Sequence, residues 1–153
     1  HRRIAEALCE KFAGVVEAQP ELVAHHFTQA GLTEPAIEYW GKAGDLALRR
    51  SAFKEAIVHL GKAIEMTEAL AGAGETEKTG GQLLRLQVSY GNAMIAAHGH
   101  GAPDTLAAFA RAQKMGAGAA DMSASFSTNY GLWAGSYVHG DLTAMREPAQ
   151  HQF

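Results

Sequence analysis

Apolar residues in this chain recur at three- and four-residue intervals, and no stretch sustains a two-residue alternation. The first period gathers side chains on one face of an α-helix, so every element it predicts is helical and no strand is expected. Ile4, Leu8, Phe12, Val15 and Val16 mark a helix over 2–17, with Gly14 as its weak point. Pro20 opens a second helix carrying Leu22, Val23, His26 and Phe27, and Gly31 ends it, the usual order of proline first and glycine last. Thr33 is the expected N-cap of a third helix that runs to about Arg50, with Glu34 and Pro35 in its first turn. Arg49 and Arg50 suit the negative end of that helix's dipole. Ser51 is expected to cap a fourth helix, from 52 to about 70, whose core stripe is Phe53, Ala56, Ile57, Leu60, Ala63, Ile64 and Met66.

Residues 71–78 form a polar, glycine-rich connector. Thr79 and Gln82 have capping-box spacing for a fifth helix, which reaches about His98 through Leu83, Leu86, Tyr90, Met94 and Ala97. The segment from His98 to Pro103 reads as a turn. A sixth helix with Leu106, Phe109, Ala110 and Gln113 is broken by Gly116 and Gly118. A seventh covers about 120–139 with Phe126, Tyr130, Trp133 and Tyr137, and Gly140-Asp141 is a turn whose aspartate caps a final helix.

The spacing within the third and fourth helices carries the most information. Trp40, Ala43, Gly44 and Ala47 share one face, and Phe53, Ala56, Leu60 and Ala63 share a face of the next helix. Small residues let the two backbones approach, and Trp40, Phe53 and Leu60 fill the space between. This hairpin resembles a tetratricopeptide repeat, a module that stacks and binds. Tyr90, Gly91 and Met94 with Thr105, Phe109 and Ala112 read as a second copy, and Leu132, Trp133 and Ser136 with Leu142, Met145 and Ala149 as a third. The copies are spaced more widely than the usual ~34 residues. The expected fold is therefore all-α: a right-handed superhelical stack of antiparallel helical hairpins, a TPR-like α-solenoid of about eight helices. Residues 1–33 would be leading helices joining an upstream domain to the repeats, and 34–153 the repeats themselves, at about 34–70, 79–115 and 120–153. The chain starts without methionine inside a helical pattern, so it is expected to be a piece of a longer protein.

Composition narrows the function. At 153 residues and 47% hydrophobic content the chain can bury a core. A formal net charge of −3 argues against nucleic acid as a partner. No apolar run approaches the roughly 18 residues of a membrane span, and no signal peptide is visible. The single cysteine, Cys9, cannot form an internal disulfide, which fits a reducing cytoplasm; it is expected to be a small buried hydrophobe beside Ala5 and Phe12.

The stretch from Gln19 to Gly31 (QPELVAHHFTQAG), followed by AIEYWGKAG from Ala36 to Gly44 and ALRRSAF from Ala47 to Phe53, resembles the tetratricopeptide region of bacterial signalling proteins. In that family a class III adenylate or guanylate cyclase domain and a STAND-type ATPase domain precede the repeats. RRIAEAL at Arg2–Leu8 is similar to the segment joining the ATPase part to the repeats, and GLWAG at Gly131–Gly135 and GDL at Gly140–Leu142 are similar to its later repeats. The resemblance implies a regulatory role in which the repeats sense a partner or hold the ATPase in one state. It places no output chemistry here, since neither the metal-binding aspartates of a cyclase nor a phosphate loop is present.

Other chemistry finds little support. Gly72–Thr79 departs from a Walker A loop because Glu77, not glycine, precedes Lys78. His25-His26 and His98-x-His100 lack the three- or four-residue spacing that puts two ligands on one helix face, so no metal is expected. No Gly-x-Ser-x-Gly elbow exists, and neither catalytic residues nor a cofactor is expected. A partner is expected to be a protein or peptide, including other domains of the same parent chain, bound in a groove lined by Glu38, Asp45 and Arg49, Arg85 and Asn92, and Tyr130 and Tyr137. Two rival readings are a small-molecule sensor with a pocket near Tyr130, Trp133, Tyr137 and nearby histidines, and a structural segment that pairs into a homodimer.

Overall fold

A computed structural model of the chain describes residues 1–72, 77–116 and 122–140. Among these the chain is all-helical: α1 (Arg2–Lys11), α2 (Ala13–Ala18), α3 (Pro20–Gln29), α4 (Thr33–Arg49), α5 (Phe53–Gly72), α6 (Glu77–His98), α7 (Pro103–Gly116) and α8 (Met122–His139). Two compact units divide it, His1–Glu75 and Thr76–Phe153. The helices expected to lead into the repeats belong to the same unit as α4 and α5. The helix expected after Asp141 lies outside the described residues. Among the described residues there are nevertheless eight helices, because the first expected helix is two.

That division falls at Phe12, not at Gly14. Phe12 (φ −132°, ψ 51°) closes α1 and opens α2, and nothing crowds the open space at Gly14. The reason lies in packing. Ala5 is the single buried residue of α1 and none of α2 is buried, so no core holds the two segments on one axis. Ile4, Phe12 and Val15, expected on a buried stripe, are exposed, Phe12 at 53%.

In the first unit α4 packs between α3 and α5. Val23, Ala24 and Phe27 of α3, Ala36, Ile37, Trp40, Ala43 and Ala47 of α4, and Ala56, Leu60, Ala63 and Ile64 of α5 form its core. Phe53, Ile57 and Met66 are only half-buried. The fully buried place one turn beyond Ala63 belongs to Thr67, whose hydroxyl donates to the Ala63 carbonyl at 2.6 Å and so meets its own hydrogen-bonding need.

The turns of this unit are built alike. At the end of α3 the Leu32 N–H bonds Phe27 O (3.0 Å) and the Gly31 N–H bonds Thr28 O (3.1 Å), with Gly31 at φ +70°. At the end of α4 the Ala52 N–H bonds Ala47 O (2.9 Å) and the Ser51 N–H bonds Leu48 O (3.0 Å), with Ser51 at φ +59°. Both are Schellman closures. They correct two expected caps. Leu32, which ends one closure, is also the N-cap of α4, so Thr33 is that helix's first residue. Ser51 terminates α4 in the left-handed region and does not cap α5. A third expected cap, Thr79, lies buried inside α6, which starts two residues earlier at Glu77.

In the second unit α6, α7 and α8 all contact one another. Pro103 begins α7 after the turn at 99–102, where Gly99 has φ +87°. Phe109 of α7 is fully buried. A Cβ at Gly91 of α6 would lie 2.7 Å from its Cζ and 2.9 Å from both Cε atoms. A Cβ at Gly131 of α8 would lie 2.8 Å from its Cδ1 and from both Cε atoms. The ring is therefore seated between two bare backbones. Gly135 of α8 likewise leaves room for Leu106.

Candidate functional site

The residues expected to line a groove all lie on exposed helix surface. On α4, Glu38, Asp45 and Arg49 recur at seven- and four-residue intervals opposite the buried Ile37, Trp40, Ala43, Gly44 and Ala47. Lys42 completes the stripe, and its ammonium bonds Glu38 Oε1 at 2.6 Å across one turn. A pair so exposed contributes only about 0.3–0.5 kcal/mol. It does hold Glu38 against Lys42, which leaves Asp45 and Arg49 as the charges of the stripe's C-terminal half. The stripe is of mixed sign, a pattern suited to specificity more than to raw attraction.

On α6, Arg85 and Asn92 are exposed seven residues apart, and on α8 Tyr130 and Tyr137 are exposed at 51% and 66%, again seven apart. These aromatics do not serve the core; Thr128, Gly131 and Gly135 take the buried side of α8. The structure thus brings the expected residues together in three sets: one on α4 in the first unit, and one each on α6 and α8 in the second. The side chain of Trp133 lies outside the described residues.

Beneath the α4 stripe sits a polar–aromatic joint that the sequence pattern did not show. The Trp40 indole N–H donates to Thr28 Oγ1 (3.0 Å), and that hydroxyl donates to Ala24 O (2.8 Å), tying α4 to α3. His59 of α5 stacks on Trp40 with ring centroids 5.3 Å apart at 25°, and Lys62 Nζ lies 4.2 Å from the centre of the indole. Beside Trp40, Tyr39 stacks on Phe27 (5.6 Å) and receives Lys42 Nζ over its ring at 4.5 Å. Its hydroxyl pairs with Cys9 Sγ of α1 at 3.2 Å. That hydrogen bond, with partial burial, pushes the Tyr39 phenol up to about 12. Cys9 is therefore a half-buried polar partner, where a plain hydrophobe was expected. His59 and Lys62, three residues apart on α5, were the available signal for a cation and a ring meeting Trp40.

His25 and His26 are joined by His1, with ring centroids 5.2–6.4 Å apart and His1 Nδ1 3.0 Å from His26 Nδ1. Among the described residues no group of three or more His, Cys, Asp or Glu side chains could hold a metal ion. Among them, too, no helix is long and apolar enough to cross a membrane.

No protein-family model, curated protein or solved structure matches the chain.

Proposed function

We propose that this chain is a non-catalytic, TPR-like protein–protein interaction and regulatory segment, a right-handed stack of helical hairpins within a cytoplasmic bacterial cyclase–ATPase signalling protein. One observation supports the repeat reading above the others. In each unit a glycine on the first helix of a hairpin lies directly under a large side chain of the second: Gly44 under Leu60 and Gly91 under Phe109. Both glycines fall where the repeat spacing puts a small residue, and both large residues where it puts a large one. Recurrence of one close-packing device at matching places is what a repeated hairpin requires.

In this reading the first helices of the hairpins carry the binding face: Glu38, Asp45 and Arg49, then Arg85 and Asn92, then Tyr130 and Tyr137. Arginine and tyrosine combine contact area with directional hydrogen bonds, which suits a peptide or a folded domain.

The test is calorimetric titration of the segment against the separately purified ATPase and cyclase portions of its parent polypeptide. Saturable binding that Arg49→Glu weakens at least tenfold supports the reading. Absence of binding from folded segment, or binding indifferent to Arg49→Glu, Arg85→Glu and Tyr137→Ala alike, overturns it. Small-angle scattering tests the stack itself. A radius of gyration near the about 15 Å of a 153-residue globule counts against an extended solenoid.

A further inference from the structure

Trp40 is the point at which α3, α4 and α5 meet, and the group most sensitive to its surroundings there is His59. The His59 ring lies on the indole, and its Nδ1 is shut off from solvent with no hydrogen-bond partner. In the neutral imidazole with its proton on Nε2, Nδ1 is an acceptor whose lone pair goes unused. Protonation makes that same atom a charged N–H donor with nothing to accept it. Stranding a charged donor away from water costs more than stranding a neutral acceptor.

Charges reach His59 from α3 and from its own helix. From α5 itself Lys62 opposes the imidazolium and Glu55 favours it; from α3 Glu21 favours it; α4 presents the Trp40 ring. Lys62 also occupies the cation seat on that indole, so a second cation on the ring would crowd the first. Burial outweighs the two carboxylates, and His59 is held below the ordinary histidine value.

We propose that His59 is a proton-operated latch on the α4–α5 hairpin: neutral, it lies flat on Trp40; protonated, it leaves the indole and loosens α5 from α4 and, through the Trp40–Thr28 bond, α4 from α3. The sign follows from linkage. The unfolded chain takes up a proton at His59 near 6.5, the folded chain only at lower pH, so between those values the unfolded state holds more protons. The contribution of His59 to stability is complete above about pH 7 and is lost as pH drops below about 6.5. The affected hairpin carries Glu38, Asp45 and Arg49, so acid would act on that face from beneath.

The experiment uses the full chain. The His59 ring is titrated by NMR, Trp40 fluorescence is followed over the same range in a Trp133→Phe background, and urea midpoints are measured from pH 7.5 to 5. The expected result is a His59 midpoint below 6.5, with a tenfold loss in the folded-to-unfolded ratio for each unit of depression. His59→Gln should flatten that loss. Lys62→Met should raise the His59 midpoint and Glu21→Gln should lower it, and these two decide the matter if His59→Gln does not fold. A midpoint at or above 6.5, an undiminished acid loss in His59→Gln, or a midpoint indifferent to both charge substitutions overturns the latch. Because none of these readouts involves a partner, failure here is distinct from failure of the binding titration.

Discussion

Substituting Gly91 with alanine tests the seating of Phe109 most directly. Alanine should help a helix interior by about 1 kcal/mol over glycine. Here the new methyl carbon would lie 2.7 Å from Phe109 Cζ and 2.9 Å from each Cε, when carbon atoms rest at about 3.5–4.0 Å. Nearly an ångström must be found in a fully buried place. Overpacking of that kind costs about 1–3 kcal/mol, so Gly91→Ala should be net destabilising by up to about 2 kcal/mol. All three crowding atoms are ones leucine lacks. In a Phe109→Leu background the clash disappears while the helical gain remains, and Gly91→Ala should turn stabilising by about 1 kcal/mol. Gly131→Ala should be relieved less by the same background, because one of its contacts is Phe109 Cδ1, an atom position leucine retains. Urea unfolding of the four variants of each cycle, followed by far-ultraviolet circular dichroism, gives the coupling energies. Additivity within about 0.5 kcal/mol for the Gly91 cycle would refute the seating argument.

Ser51→Gly should stabilise the chain by about 1 kcal/mol, since a side chain at φ +59° carries a penalty of roughly that size; thermal melting should show a rise of about 2–4 °C. Gly31→Ala should destabilise by a similar amount through the matching closure at φ +70°, read in the same melt. Thr28→Val, which keeps shape but removes the acceptor of the Trp40 indole N–H, should cost about 1 kcal/mol in urea unfolding. The Tyr39 phenol should ionise at about 12 by NMR, and Cys9→Ala should bring it down toward 10. As a tyrosine kept neutral by the fold, it should make stability fall as pH rises past 10.

Backbone chemistry made much of the fold legible in advance. Pro20 begins α3, and Gly31 and Gly140 follow the ends of α3 and α8, because a missing N–H and a tolerated positive φ act locally, whatever surrounds them. Ser51 escaped the same reasoning, since serine enters the left-handed region only when a closure such as that of α4 compels it. Phe12 escaped it because helix continuity depends on burial that periodicity does not report. Glu38, Asp45, Arg49, Arg85 and Asn92 are polar positions between apolar ones, so their exposure followed locally, whereas Tyr130 and Tyr137 shared the spacing of Phe126 and Trp133 and yet lie exposed. The Trp40 joint was not foreseeable in that way. Periodicity says which face a residue occupies, not which residue of another helix meets it, so neither the Thr28 bond nor the His59 stack follows from spacing alone.

The ring of Phe109 has a consequence for how such a chain can vary over time. Positions 91, 109 and 131 lie on three different helices yet share one volume. A bulkier residue at either glycine is better tolerated once the ring at 109 has shrunk, and once one glycine has been lost the return of the aromatic is disfavoured. Descendants of this sequence should therefore change these three positions in a preferred order, small residue at 109 first. A collection of variants selected for folding should show them as one inherited unit.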